Sequence, residues 1–210
     1  EKDLRPKEIK TFYGKPFKKF FPKTVSYQTP ELKKFVRDIG NTYALSKPQE
    51  FEFKFPNGLV ATIMKGGIHS TEGGRFLKPK EDEVYISCDI GSQYPNAIRK
   101  YKVEPPHLPG WNNLITAKIN RRLAYKKLAK ETKDPKYNSI QNMGKDALNG
   151  GSFGRLNMRG DWQEYPFGML QVTIGGQLEI LMIVEDLILK GFNVVSLNTD
   201  GWDTIIPISR

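Results

Sequence analysis

The chain has 210 residues, with 33 Lys and Arg against 23 Asp and Glu, a formal charge of +10 and an isoelectric point near 9.5. Its 38% apolar and 11% aromatic content is enough for one substantial core or two small ones and excludes a disordered polymer. The basic excess calls for a polyanionic partner, and nucleic acid is favoured over a membrane because the best apolar run, Leu178 to Leu189, is broken by Glu179, Glu185 and Asp186.

The chain opens in the charged stretch EKDLRPKEIK, without an initiating Met or a signal-like apolar segment, and reads as a piece of a longer protein. Residues 1–50 are dense in Lys, Phe and Tyr with no clean period, which predicts a loop-rich surface packed by its aromatics. In FEFKFPNGLVATIMKGG, alternating apolar residues flank Pro56, Asn57 and Gly58, a hairpin signal because Asn and Gly accept positive φ. Val84 to Ile90 predicts a short buried strand ending at Asp89; it carries Cys88, the single cysteine, so no intramolecular disulfide forms and a reducing compartment is favoured.

From Leu114 to Lys130, Ile115, Ile119 and Leu123 share one row while Lys118, Arg122, Lys126 and Lys130 share another, which predicts an amphipathic helix with a cationic face. Asp134 and Pro135 form an N-cap and first-position pair that opens a second helix, predicted to run to Asn149 and stop at Gly150 and Gly151. So short a link makes the two helices antiparallel. A third helix is predicted from about Thr173 to Lys190, then a strand over 192–197, a turn at Asn198 to Gly201, and a returning strand from Trp202 to Ile208.

Phosphoryl transfer to a primer end asks little covalent chemistry of a protein, but it needs two carboxylates fixed on rigid elements about a metal pair. Asp89, at a strand end, and Asp200, in a tight turn, suit that requirement, although either alone is much more often a cap or a solvated turn former than a ligand. CDIGSQYPNAI, with Asp89, Ser92, Tyr94 and Pro95, resembles motif A (D-x-x-S-L-Y-P) of family B DNA polymerases, with Gln93 in place of Leu. KDALNGGSFG resembles motif B (K-x-x-x-N-S-x-Y-G) when anchored on Lys145 and Asn149, which leaves one extra glycine before Phe153 and Gly154. Anchoring on Phe153 would aim Asp146 at a triphosphate, a repulsive arrangement. VSLNTDGWDTI resembles motif C (Y-x-D-T-D-S) at Thr199 and Asp200, with Asn198 where the first Asp stands and Gly201 where Ser stands.

The resemblance covers about residues 60–205 and is to the phage or mobile-element members of the family. It implies an α+β fold in which an antiparallel palm sheet with packed helices carries an antiparallel two-helix fingers insertion. The implied boundaries are 1–60 for a region leading into the palm, 61–111 for palm with motif A, 112–154 for fingers with motif B, and 155–210 for palm with motif C. It implies catalytic carboxylates Asp89 and Asp200, metal ligation by both and by the Ile90 carbonyl, and two Mg2+ ions, which Mn2+ can replace. Ser92, Tyr94, Arg122, Lys126, Lys145 and Asn149 would bind the nucleotide, with the Tyr94 ring under the sugar favouring deoxynucleotides. Lys65, Gly66 and Gly67 are similar to the Y-x-G-G element that touches template backbone, and equally suit a plain glycine turn. The implied partners are primer–template DNA, deoxynucleoside triphosphates, and further polymerase segments such as a thumb or exonuclease, in a cytoplasmic setting, that of the host if phage-encoded. The rival reading is a catalytically weak nucleic-acid-binding module that keeps the palm shape, suggested by Asn198 and the motif B insertion.

Overall fold

The computed structural model describes residues 5–71 and 77–208. It is an α+β fold with a six-stranded antiparallel sheet and five α-helices among the described residues. The chain divides into two compact units, one of Tyr13–Gly91 with Thr173–Arg210 and one of Ser92–Val172 with the residues up to Phe12. These units cut across the boundaries expected from the motifs; the one at 60/61 falls inside a hairpin.

The first unit holds the sheet. Helix α1 (Pro30–Asn41) starts where the Thr29 side chain accepts from the Leu32 N–H and Pro30 supplies a pre-set φ. It buries Leu32, Val36 and Ile39, so the stretch expected to be loop-rich contains a regular helix. Its apolar spacing is helical but flanked by lysines on both sides, which hid the period.

Strands β1 (Phe51–Lys54) and β2 (Val60–Ile63) form the expected hairpin. Gly58 takes the positive φ of 88°, while Asn57 contributes through its side chain, accepting from the Leu59 N–H and donating to the Val194 carbonyl. Strands β3 (Ile68–Ser70) and β4 (Glu83–Asp89) follow, and the sheet order is β1-β2-β3-β5-β6-β4, with β5 (Asn193–Asn198) and β6 (Gly201–Pro207) in the middle. A bulge between Val194 and Ser196 re-aims the outer end of β5.

One face of the sheet is apolar at β1–β3, where Phe51, Phe53, Ala61, Ile63 and Ile68 alternate toward it, and Phe35 of α1 packs its ring on Phe53 at 5.1 Å. Helix α5 (Pro166–Leu189), whose later part belongs to this unit, buries Ile174, Leu178, Ile180, Leu181 and Val184. Glu185, 2% exposed, accepts from the backbone N–H groups of Gln28 and Thr29 and from the Thr29 hydroxyl, and so fixes the start of α1. Glu185, one of the charges that interrupt the apolar run, is therefore structural. No described helix is long and apolar enough to cross a membrane.

The second unit is helical. Helix α2 (Gln93–Lys100), α3 (Trp111–Thr132) and α4 (Pro135–Leu148) surround a core of Ala97, Ile98, Val103, Trp111, Ile115, Ile119, Leu148, Leu156 and Tyr165. Trp111 anchors the start of α3 by donating its indole N–H to the Gln163 side chain at 2.9 Å. Only the first half of α3 is buried: Ile115 and Ile119 are in the core, but Leu123 and Leu128 are 45% and 37% exposed. The α3–α4 pair is antiparallel as expected, with Gly144 against Arg122 and Tyr125 stacked on Tyr137, and Asp134 caps α4 by accepting from the Lys136 N–H.

The expected stop at Gly150 and Gly151 is corrected: helical winding continues through them as a π-helical turn, Asn149–Phe153, and then a 3-10 turn, Gly154–Asn157. The Gly154 N–H reaches the Asn149 carbonyl five residues back, the Ser152 hydroxyl donates to the Ala147 carbonyl, and the Gln163 side chain donates to the Gly151 carbonyl. Three tertiary and local bonds thus offset the low helix propensity of the glycine pair. The third predicted helix also starts earlier than expected, at Pro166.

Candidate functional site

In the sheet unit, Asp89 and Asp200, 111 positions apart in sequence, come to the same end of adjacent strands. Asp89 is the last residue of β4 and pairs with Gly201, the first of β6. The next pair closes the end: the Ile90 N–H donates to the Asp200 carbonyl at 2.7 Å. Both aspartates are exposed.

Asp200 belongs to a two-residue turn, Thr199–Asp200, with Thr199 at a φ of 34°. That turn is held from both flanks, by Ile90 on one side and by the Ile68 carbonyl, which accepts from the Thr199 N–H at 2.7 Å, on the other. Gly67 lies directly against it: a β-carbon there would stand 3.0 Å from Thr199 Cγ2 and 3.1 Å from its Oγ1. A β-carbon on Gly66 would meet no neighbour within 4 Å. The Lys65 ammonium is engaged within the unit, donating to the carbonyls of Leu45, Ser46 and Lys47, and partial burial lowers its pKa. Of the three residues expected to meet template, one packs the Asp200 turn and one ties down a neighbouring loop.

The cross-strand register adds residues that no sequence motif singles out. Glu52, Thr62, His69, Asn198, Gly201 and Asp89 are successive register partners, forming a row across all six strands on the face opposite Phe51 and Phe53. Ser87, Ser196 and Asp203 form the next row on that face. Asn198 therefore stands between His69 and Gly201, with its side-chain oxygen accepting weakly from the Thr199 hydroxyl at 3.4 Å. The only signal in the sequence is the polar alternation of each strand; the register that aligns Asn198 with Gly201 is set by the two-residue Thr199–Asp200 turn.

An oxygen-only set of exposed carboxylates at a strand end and in a backbone-fixed turn suits a hard cation such as magnesium, which is commonly held by one or two carboxylates plus substrate phosphates and water. Among the described residues no three His, Cys, Asp or Glu side chains converge into a closed metal-binding group. The donors present fit an open site, not a closed structural one.

In the helical unit, Ser92 caps α2 in the left-handed conformation, φ 55° and ψ 48°, an unusual position for a residue with a β-carbon. Its hydroxyl accepts from Nη1 of Arg122, whose Nε is buried without a partner among the described residues. Arg122, which shares its face of α3 with the exposed Lys126, is thus the member of the expected basic pair with a fixed geometry. On α4, Lys145 and Asn149 are exposed, while Gln141 is 9% exposed and bonded to Asn138 and Asn142. Tyr94 stacks on Phe153, ring centroids 4.2 Å apart and 19° from parallel. The π turn carries the one residue by which this segment exceeds motif B, and Phe153 at its end lies on Tyr94. Gln93, at the usual Leu position, is 7% exposed with its amide nitrogen unpartnered.

No protein-family model matches the sequence, and no curated protein matches it either.

Proposed function

We propose that this chain is the palm and fingers portion of a DNA-directed DNA polymerase of the family B kind, joining deoxynucleotides to a primer end in a magnesium-dependent nucleotidyl transfer. The observation that carries the reading is the pairing of Asp89 with Gly201 and of Ile90 with Asp200, which puts two sequence-remote carboxylates at one sheet end. Asp89 and Asp200, with the Ile90 carbonyl, would hold the metal ions. When bound, magnesium supplies charge neutralisation on the triphosphate and lowers the pKa of the attacking 3′-hydroxyl.

The protein's own contribution is positional. The clamped Thr199–Asp200 turn keeps one carboxylate from relaxing, and the end of β4 keeps the other. In the helical unit, Arg122, Lys126 and Lys145 are the cations for a triphosphate, Ser92 orients Arg122, and Asn149 faces the base. The Tyr94 ring, supported from behind by Phe153, is the floor that a 2′-hydroxyl would strike. The bond to be made joins the primer 3′-oxygen to the α-phosphorus, the bond broken releases pyrophosphate, and the hydroxyl proton passes to solvent.

A second reading is favoured by one residue: Asn198 leaves the row beside Asp89 without the charge the family usually has there. In that reading the chain binds DNA without extending it. Primer extension with this chain, and with any longer protein that contains it, separates the two. A recessed primer, one deoxynucleotide at a time and magnesium should give addition of the template-complementary nucleotide alone. Tight DNA binding with no addition in either protein would establish the second reading.

A further inference from the structure

The sheet unit has a cationic groove far in sequence from every residue given a role above. It lies between α1 and the segment that precedes it, which starts with a 3-10 turn at Phe17–Phe20, and encloses about 550 Å3. Its floor is apolar. The half-buried Phe21 ring sits on the helix at Gly40, where a β-carbon would stand 3.1 Å from Phe21 Cε2, and Val25 and Val36 complete the floor.

Its walls are basic: Lys18, Lys23, Lys33 and Arg37 line it, and no Asp or Glu does. Of the carboxylates on neighbouring elements, Asp38 pairs with Lys34 at 2.8 Å, Glu179 accepts from the Thr24 hydroxyl, Glu185 from Gln28 and Thr29, and Asp186 from Gln28 and Lys190, while Glu31 on α1 does not line the groove. Lys33 donates to the Gln28 carbonyl and Lys18 reaches Asn41 at 3.5 Å. Lys23 and Arg37 make no salt bridge among the described residues.

An ordinary solvated basic face is convex, intersperses carboxylates and has no aromatic floor. This one is concave, of one sign and floored by a ring. We propose that the groove holds single-stranded DNA, with successive phosphates on Lys23, Arg37 and their neighbours and a base against Phe21. Cations tracking a backbone beside a stacking ring are the physical elements of sequence-tolerant single-strand binding. The volume accepts a nucleotide-sized planar group. An acidic peptide would use the cations but gain nothing from the Phe21 ring. The proposal does not depend on Asp89 and Asp200 being catalytic.

The test is fluorescence anisotropy of the full chain with a labelled twelve-nucleotide oligo(dT), without magnesium, over a range of NaCl. Lys23→Ala/Arg37→Ala should weaken binding about tenfold and lower the slope of log K against log salt by about 1.4, the value for two phosphate contacts on a single strand. Phe21→Ala should weaken it about fivefold or more with the slope unchanged, as loss of a stacked base requires. Phe21→Trp keeps a ring and should restore binding, which distinguishes loss of stacking from loss of folding. Lys78→Ala/Lys80→Ala, with the same charge change elsewhere, should have a smaller effect. Equal losses in the two double variants, equal effects on blunt duplex, or displacement of the oligonucleotide by poly-glutamate of the same charge would each overturn the proposal.

Discussion

Oδ1 of Asp89 lies 2.6 Å from the point where a β-carbon on residue 201 would stand, so the Asp89 carboxylate occupies space that exists only because residue 201 is glycine. The Cys88 carbonyl is 2.5 Å from the same point. Swinging the carboxylate away therefore does not make room, because a backbone atom remains in the way. This accounts for Gly201 at a position where the resembling motif has Ser. Gly201→Ala should cost about 1–3 kcal/mol in urea unfolding, the range for forcing atoms into a packed site. It should also reduce nucleotide insertion by more than Asn198→Asp changes it. An alanine variant as stable and active as the parent would contradict this account.

The π turn at Asn149–Phe153 is a second point where one residue sets the geometry. Phe153→Ala removes the ring that this turn lays against Tyr94. Tyr94 then loses its stacking partner. Under the proposed function, the variant should raise ribonucleotide relative to deoxynucleotide incorporation, as Tyr94→Ala should, while duplex binding persists. Single-turnover insertion of matched ribo- and deoxynucleotides measures both, and unchanged sugar discrimination in Phe153→Ala would show that the stack has no part in it.

Lys145 and Asp146 are neighbours on α4, and only one can face a triphosphate. A charge-assisted contact to a phosphate oxygen is worth about 1.5–3 kcal/mol, so Lys145→Ala should weaken nucleotide use by roughly ten- to a hundredfold. Arg122→Ala should act similarly and should also release Ser92. Asp146→Ala should be near neutral in steady-state insertion. A larger effect from Asp146 than from Lys145 would mean that the segment is anchored on Phe153 instead.

Tyr27 and Glu185 connect α5 to the start of α1, and Tyr27 makes stability depend on pH. Tyr27 donates its hydroxyl to the Leu178 carbonyl at 3.0 Å, and burial, reinforced by Glu185 and Glu179, raises its pKa above the ordinary tyrosine value. A group with a raised folded pKa contributes stability that is complete below its unfolded pKa, about 10, and is lost as pH rises past it. Urea midpoints should therefore fall from about pH 10 upward, and Tyr27→Phe should flatten that fall. Glu185→Ala leaves two part-buried N–H groups and a hydroxyl without their acceptor and should cost about 1–3 kcal/mol at neutral pH, with Glu185→Gln costing less.

How much of this the sequence disclosed follows the range of each interaction. The hairpin at Gly58, the Asp134 cap and the adjacency of α3 and α4 depend on neighbours in the chain and are legible there. So are Asp89 and Asp200 as strand-end and turn residues. The row from Glu52 to Asp89 is not, because it needs the register of all six strands, and β3 meets β5 at a single pair, His69 with Asn198, remote in sequence. The glycine pair at 150 and 151 reads as a helix stop because glycine is a poor helix former, and the Gln163 bond that helps override this comes from outside the local pattern. Helix α1 was hidden by its short apolar stripe among lysines. The cationic groove needs the Phe21 ring laid on Gly40, which no spacing announces.

The central claim is that Asp89 and Asp200 hold divalent metal together. Electron paramagnetic resonance of Mn2+ titrated into the chain, with deoxynucleoside triphosphate held constant, measures it without requiring primer extension. The account predicts protein-dependent loss of the free Mn2+ signal, reversed by excess Mg2+, and abolished alike by Asp89→Ala and by Asp200→Ala, with Asp203→Asn having little effect. Metal binding that persists in either single alanine variant would contradict it.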